Sequence, residues 1–335
     1  MEVRRIQLTG GSSYIITLPK EWIKKLNIKK NDPIGLHIQS NGTILITPKI
    51  SREQKQRIKT IKVKNSVEPE FLFRELVGAY IAGYNSIEIK AKDRMPPLAR
   101  TTVRKMIQIA IGQEVVEETT NSIIIKDLLN PAEMPFKKTI KRMHVIVKSM
   151  HEDVMQSLKN KDKKIAEDVV TRDNEVDRLH WLIARQYNII LRNVNFAEKM
   201  DTTTEYASTS HLISKIIERI ADHVTRIAYN IIELNLEEID NKIIEKMIKA
   251  NKKSLDIFYE SIGTFIIKDI SKANKNIDKV EELVNECNQI SSSVLKQKGA
   301  TAVSLGYIIE STRRIGEYSE DICENVINYY VQQEN

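Results

Sequence analysis

The sequence predicts a multidomain, mainly α protein: a small β-rich N-terminal domain, a compact α/β middle module, and two tandem C-terminal three-helix bundles. Three observations carry this. Glycine (11) and proline (8) are sparse in 335 residues, which favours long unbroken helices. From about residue 133 onward apolar residues recur at helical spacing, whereas the chain before it alternates short strand-like and helix-like runs. Two charged hexapeptides, Glu218-Arg219-Ile220-Ala221-Asp222-His223 and Arg313-Arg314-Ile315-Gly316-Glu317-Tyr318, interrupt Ile-rich stretches about 95 residues apart, the mark of a duplicated helical unit.

Composition bounds the rest. Hydrophobic content is 41% and charged content 29%, an ordinary globular balance. No apolar run approaches the roughly 20 residues that span a bilayer. Met1-Glu2-Val3-Arg4-Arg5 lacks the apolar core of a signal peptide. The two cysteines, Cys287 and Cys323, form neither a CxxC pair nor finger spacing, so a reducing, cytoplasmic setting is expected. Charge is uneven: residues 1–60 hold 12 Lys+Arg and 4 Asp+Glu, the remainder 40 and 41. A local basic excess is the footprint of a polyanion-binding surface, and equally of a solvated face with a basic linker.

The first domain spans residues 1–50. Residues 3–9 alternate as a strand, Gly10-Gly11-Ser12-Ser13 makes a turn, and residues 14–18 form a second strand. Pro19 opens a short helix over 20–26. Strands at 33–38 and 43–46 flank Asn41-Gly42, a strong hairpin signal. So small a unit buries too little surface to stand alone, and its strand edges invite pairing. Homodimerisation through this domain follows.

Residues 49–59 are polar and basic, a linker. The middle module, residues 58–130, reads as strand 60–63, helix 68–82, strand 86–91, helix 97–111 and strands 114–118 and 122–126. It carries no Gly-rich phosphate loop, nucleophile elbow or His/Cys cluster, so it is left open as a ligand-sensing unit or a spacer.

Six helices follow, at 135–160, 162–193 and 202–234 in bundle 1 (133–234), and at 238–267, 269–297 and 301–332 in bundle 2 (238–332). Asp162 and Asp269 occupy matching helix-start positions. Thr202 to Glu205 offers a capping box. Ile213, Ile217, Ile220, Val224, Ile227 and Ile231 form one apolar seam, and Ile308, Ile315 and Ile322 another. Helices of about 30 residues reach roughly 45 Å, which suits elongated bundles.

Two resemblances attach to particular residues. The Gly-Ser-Ser turn, the Ile-Thr-Leu-Pro-Lys-Glu-Trp stretch and the closing Gly-Thr-Ile-Leu-Ile-Thr-Pro strand resemble the AbrB/MazE-type swapped-hairpin DNA-binding domain over about residues 2–49. The resemblance implies interleaved hairpins from two chains and DNA contact through Arg4, Arg5, Ser12, Ser13 and Lys20. Independently, arginine offers phosphate a planar fork of donors, and turn N–H groups can meet phosphate oxygens; guarding an edge strand is the competing role of the arginines. The stretch 165–187 and Glu-Arg-Ile-Ala-Asp-His are similar to the PhoU family of phosphate-uptake regulators over about 135–332, and the whole looks like an archaeal AbrB–PhoU fusion. That resemblance implies two homologous three-helix bundles, phosphate-dependent control beside a phosphate ABC transporter, and iron or zinc held by (Glu/Asp)-x-x-x-Asp motifs. The matching residues are Asp173 and Asp177, and Glu218 and Asp222.

Spacing i, i+4 puts each carboxylate pair on one helical face, and an unrelieved like-charged pair costs about 0.2–0.5 kcal/mol. A metal cation would relieve it, as would Arg219 or Arg226. His223 lies about 100° round the helix, more suited to a surface or interface than to a metal. In the second repeat Arg313 replaces Glu218, and a guanidinium ligates no metal. Glu317 replaces Asp222, Glu317-x-x-x-Asp321 is shifted one turn, and Asp278 with Glu282 is an ambiguous counterpart of Asp173 with Asp177. Arg313 then either forms an internal ion pair or, with Arg314, meets an acidic partner. The expected function is a non-enzymatic, phosphate-responsive transcriptional regulator. The alternatives are an adaptor docking on a transporter without binding DNA, and a carboxylate-bundle metalloenzyme, which would need Glu-x-x-His pairs.

Overall fold

The computed structural model describes residues 2–38, 42–48 and 57–333. The chain divides into two compact units, residues 1–56 and 57–335.

The first unit holds two antiparallel hairpins and one helical turn. β1 (Gln7–Thr9) pairs with β2 (Ser13–Ile15), Gln7 opposite Ile15 and Thr9 opposite Ser13. Gly10 and Gly11 lie at φ +65° and +80°, the left-handed region that glycine enters without strain. α1 (Lys20–Lys25) follows Pro19, and β3 (Gly35–Ile38) pairs with β4 (Ile44–Thr47), Ile38 opposite Ile44. The Asn41 half of the expected turn lies outside the described residues, as does most of the expected linker. None of the described residues of this unit is buried. Ile6, Leu8, Tyr14, Leu36 and Ile38 are each 60% exposed or more. The sequence dictates strands here but not a core within one chain.

In the second unit β5 (Ile58–Val63), α2 (Pro69–Ile81), β6 (Ser86–Ala91), α3 (Pro97–Ile109), β7 (Gln113–Glu118) and β8 (Ser122–Asp127) build a four-stranded sheet of order β5-β6-β8-β7. β5 and β6 are parallel, and β8 is antiparallel to both its neighbours. Alternate strand residues (Ile61, Val63, Ile87, Ile89, Ile123, Ile125) meet Leu72 and Leu76 of α2 and Val103 and Met106 of α3 in one core. The linker read through residue 59 ends earlier than expected: Ile58 and Lys59 already belong to β5, because they pair with β6.

The helical part comprises α4 (Phe136–Asn160), α5 (Lys163–Ile190), a short α6 (Val194–Lys199), α7 (Thr204–Glu233), α8 (Asn241–Ile267), α9 (Ile270–Val294) and α10 (Gly299–Val331). α4, α5 and α7 form one bundle and α8, α9 and α10 the other; α7 packs on α10 and α4 on α8 between them. Asp162 and Asp269 cap α5 and α9 by accepting from Lys164 N and Lys272 N. The α7 cap is Thr203, which accepts from Tyr206 N at 3.1 Å, not Thr202. All six residues of the α7 seam are fully buried, as are Ile308, Ile315 and Ile322 of α10.

The module is fastened to α5. Arg185 is 1% exposed and donates to Tyr80 O at 2.6 Å, Tyr84 O at 3.0 Å and Asp127 Oδ2 at 2.6 Å. Gln186 donates to Pro131 O and Met134 O, and Trp181 meets Phe73 edge-on. A module held by a buried guanidinium and backbone acceptors is part of the helical body, not a spacer swinging beside it.

Candidate functional site

α5 and α7 run antiparallel: His180 Nδ1 lies 3.0 Å from Ser214 Oγ, while Asp173, earlier on α5, lies beside Thr225, later on α7. The i, i+4 pairs therefore face each other, and the structure brings Asp173, Asp177, Glu218 and Asp222 to one seam. Their mutual effect is large. Burial, then the charges of Asp173, Glu218 and Asp222, push the Asp177 carboxyl up to about 7, against the opposing pull of Lys215. Burial, then Glu218 and Asp173, push Asp222 to about 6. Burial raises Asp173 too, with Thr225 opposing and Glu218 adding. Asp173 Oδ1 and Thr225 Oγ1 are buried without a well-formed hydrogen bond.

The compensating cation is neither arginine suggested by the spacing. Lys215 Nζ bonds both Glu218 carboxylate oxygens at 2.6 Å. Arg219 lies over the Tyr318 ring, 5.8 Å from its centroid, and Arg226 reaches Asp222 only through space. The missed signal was the i, i+3 spacing of Lys215 and Glu218. Among the described residues no three His, Cys, Asp or Glu side chains converge on a point that would hold a metal ion. The donor set suits a divalent cation, and its mutual repulsion is what such an ion relieves, but Glu218 is turned onto Lys215.

The second bundle resolves the ambiguous register. The caps Asp162 and Asp269, and the buried pairs Ala166/Ala273, Val176/Leu283 and Ile183/Ile290, align α5 with α9 at one constant offset. At that offset Asp173 and Asp177 correspond to Val280 and Val284. Asp278 and Glu282 are exposed, and Glu282 serves a lysine of α8, Lys253, at 2.8 Å. On α10, Arg313 bonds Glu310 and Glu317, so it forms the internal ion pair. Gly316, in place of Ala221, lets Leu283 close in: a Cβ there would lie 2.4 Å from Leu283 Cδ2. Packing has taken over the acidic seam. The two hexapeptides meet each other between the bundles, His223 against Tyr318 at 5.6 Å between ring centroids, so His223 is an interface residue. Burial and Arg226 hold it down to about 4.

In the N-terminal unit Arg4, Arg5, Ser12, Ser13 and Lys20 are all exposed. The β1–β2 register directs the chain before Gln7 toward the end from which residues 16–20 leave. Arg4, Arg5 and Lys20 thus belong to the open end of the hairpin, and Ser12 and Ser13 to its turn. Arg4 also bonds Glu2 at 2.5 Å.

Comparison with known proteins agrees with this architecture. A family model described as "PhoU domain" matches residues 140–231, the span of α4 to α7. One described as "Antidote-toxin recognition MazE, bacterial antitoxin" matches residues 7–54. The chain is 25% identical over 204 residues to a phosphate-specific transport system accessory protein PhoU homolog of Clostridium acetobutylicum, covering 56% of this chain and 86% of the relative. It is 23% identical over 245 residues to the uncharacterized protein MJ1641 of Methanocaldococcus jannaschii, covering 69% and 79%. The crystal structure of PhoU from Pseudomonas aeruginosa superposes with a TM-score of 0.53 at 16% identity, covering 59% of this chain and 96% of that one. The phosphate transport system regulatory protein PhoU from Streptococcus pneumoniae gives 0.51 at 18%, covering 59% and 94%; at such identities the likeness is one of fold. No helix among the described residues is long and apolar enough to cross a membrane. The chain thus carries, in one polypeptide, a stretch similar to MazE-type antitoxin domains and a stretch similar to the PhoU domain.

Proposed function

We propose that this chain is a phosphate-responsive transcriptional regulator that grips DNA as a homodimer through its basic N-terminal unit and reads phosphate status through its helical body. The observation that carries this is a unit with strands and no core. With no buried residue among those described and large aliphatic side chains turned outward, a single copy cannot hold its hairpins together. A second copy supplies the missing face, and doubling the unit doubles the basic excess of residues 1–60. Arg4, Arg5 and Lys20 then meet phosphates, with Ser12 and Ser13 assisting. The acidic seam of Asp173, Asp177, Glu218 and Asp222 takes a divalent metal, iron or zinc, once Glu218 turns toward it. No residue is assigned a catalytic role.

A second reading is favoured by the likeness to the Clostridium phosphate-specific transport system accessory protein PhoU homolog: the helical body docks on a phosphate transporter, and the N-terminal unit only dimerises. The double substitution Arg4→Ala and Arg5→Ala separates the two. The regulator loses promoter retention at low and high phosphate alike. The adaptor keeps its partner and retains no promoter DNA even before substitution.

A further inference from the structure

The long helices do not share charge evenly. α4 and α8, which pack on each other, carry 11 Lys+Arg and 5 Asp+Glu, whereas α5, α7, α9 and α10 carry 13 and 18. We propose that the α4–α8 face is a second nucleic-acid surface, which holds the phosphate backbone of duplex DNA without reading its sequence. This contact is separate from the one at Arg4 and Arg5 and does not depend on it.

Three observations support it. First, the cations are aligned. α4 turns Phe136, Ile140, Met143 and Val147 inward. Lys137, Lys141, Lys148 and Lys159 follow one another at steps of 4, 7 and 11, each close to a whole number of turns. They form one stripe along the α8 border, where Lys148 lies 4.9 Å from the centroid of the Tyr259 ring. The stripe is about 33 Å long, against ~34 Å for one turn of duplex.

Second, these cations lack acids. Lys137, Lys141 and Lys159 are exposed and form no ion pair among the described residues. Of the acids beside the stripe, Glu152 and Asp256 already meet Lys148 and Lys252. Glu245 stands among Lys242, Lys246 and Lys249 on α8.

Third, the groove between the helices presents donors. α4 and α8 run antiparallel, His151 beside Asn251 and His144 beside Phe258. They leave a groove of about 380 Å³ lined by Met155, Gln156, Lys159, Asn160, Ile248 and Lys252. No carboxylate lines it, and its amide and ammonium N–H groups suit phosphate oxygens. The face exposes Val145, Tyr259 and Ile267 singly, too little apolar surface to seat in a membrane. A phosphate backbone needs only the cations.

The test is fluorescence anisotropy of a labelled random-sequence duplex, titrated with the full chain over a range of salt. Lys137→Gln, Lys141→Gln and Lys159→Gln together are expected to lower the slope of log affinity against log salt by about three per chain. A matched control, Lys275→Gln, Lys296→Gln and Lys298→Gln, removes equal charge from another exposed region and is expected to change the slope by less than about one. If Arg4→Ala with Arg5→Ala leaves the slope intact while the stripe variant lowers it, the N-terminal reading fails and the α4–α8 contact stands. An unchanged slope in the stripe variant overturns the proposal, as does an equal fall in the stripe and control variants. Stripe-dependent binding to phosphatidylglycerol vesicles with an unchanged duplex slope also overturns it, and gives the face to a membrane.

Discussion

Arg185 and Asp127 form an ion pair of 2.6 Å with side-chain exposures of 1% and 7%, joining the middle helix of the first bundle to the last strand of the α/β module. Burial pushes the Asp127 carboxyl up, and Arg185 opposes it. Removing one partner of a buried pair strands the other charge, at a cost of about 3–5 kcal/mol. Arg185→Met and Asp127→Ala are each expected to destabilise the second unit by that order in urea unfolding. The double variant should lose clearly less than the sum. Additive losses would mean that the pair does not fasten the module.

Gly112, at φ +81°, lies just before β7. A Cβ there would come within 2.5 Å of Leu129 Cβ and 3.0 Å of Asp127 Oδ1. Backbone strain and collision act together, so Gly112→Ala is expected to cost about 2 kcal/mol or more. Thermal unfolding checks this, and an unchanged midpoint would contradict the packing described for that turn.

The acidic seam sets a pH dependence. The Asp177 carboxyl titrates near 7 in the fold and near 4 when unfolded, so the native state holds a proton that the unfolded chain has already lost. Stability from this group is complete below about pH 4 and is lost as pH rises through about 7. Asp177 is partly exposed, so solvent screening reduces the effect to about 1–2 kcal/mol. Asp177→Asn is expected to flatten the decline between pH 4 and 8 and to be the more stable protein at pH 8. A decline of equal size in both proteins would place its origin elsewhere.

The exposed aliphatic residues of the N-terminal unit predict its oligomeric state. Leu8 and Leu36 are 60% and 65% exposed, and burying such a side chain contributes about 1.5–3 kcal/mol. Light scattering of the eluted full chain should give a dimer. The pair Leu8→Asp and Leu36→Asp should shift it toward monomer by tenfold or more in dissociation constant. A monomer before substitution would remove the two-copy core.

Elements governed by local rules were legible in the sequence. Alternation marked the strands of the module, and the Asp162 and Asp269 caps marked α5 and α9, because a strand period or a side-chain cap is written within a few residues. The carboxylate pairs were legible as faces. What faces them was not: Lys215, Arg219 and Arg226 all lie within a turn or two of Glu218 and Asp222, and only the packing of α7 on α10, which draws Arg219 onto Tyr318, leaves Lys215 to the seam. The α9 register was ambiguous in the sequence because Asp278 and Glu282 copy the spacing of Asp173 and Asp177 while lying on the solvent face. Arg185 gave no sign of burial, since its acceptors lie about 60 to 105 residues away in sequence.

The central claim is that the basic N-terminal unit, none of whose described residues is buried, holds DNA. Fluorescence anisotropy of a labelled promoter duplex, titrated with the full chain from 50 to 200 mM salt, tests it most directly. Phosphate contacts release counterions, so log affinity should fall linearly with log salt, with a slope near −0.9 for each phosphate neutralised. Arg4→Ala with Arg5→Ala should reduce that slope by about two per chain. A flat salt dependence, or no retained duplex at 50 mM salt, would contradict the account.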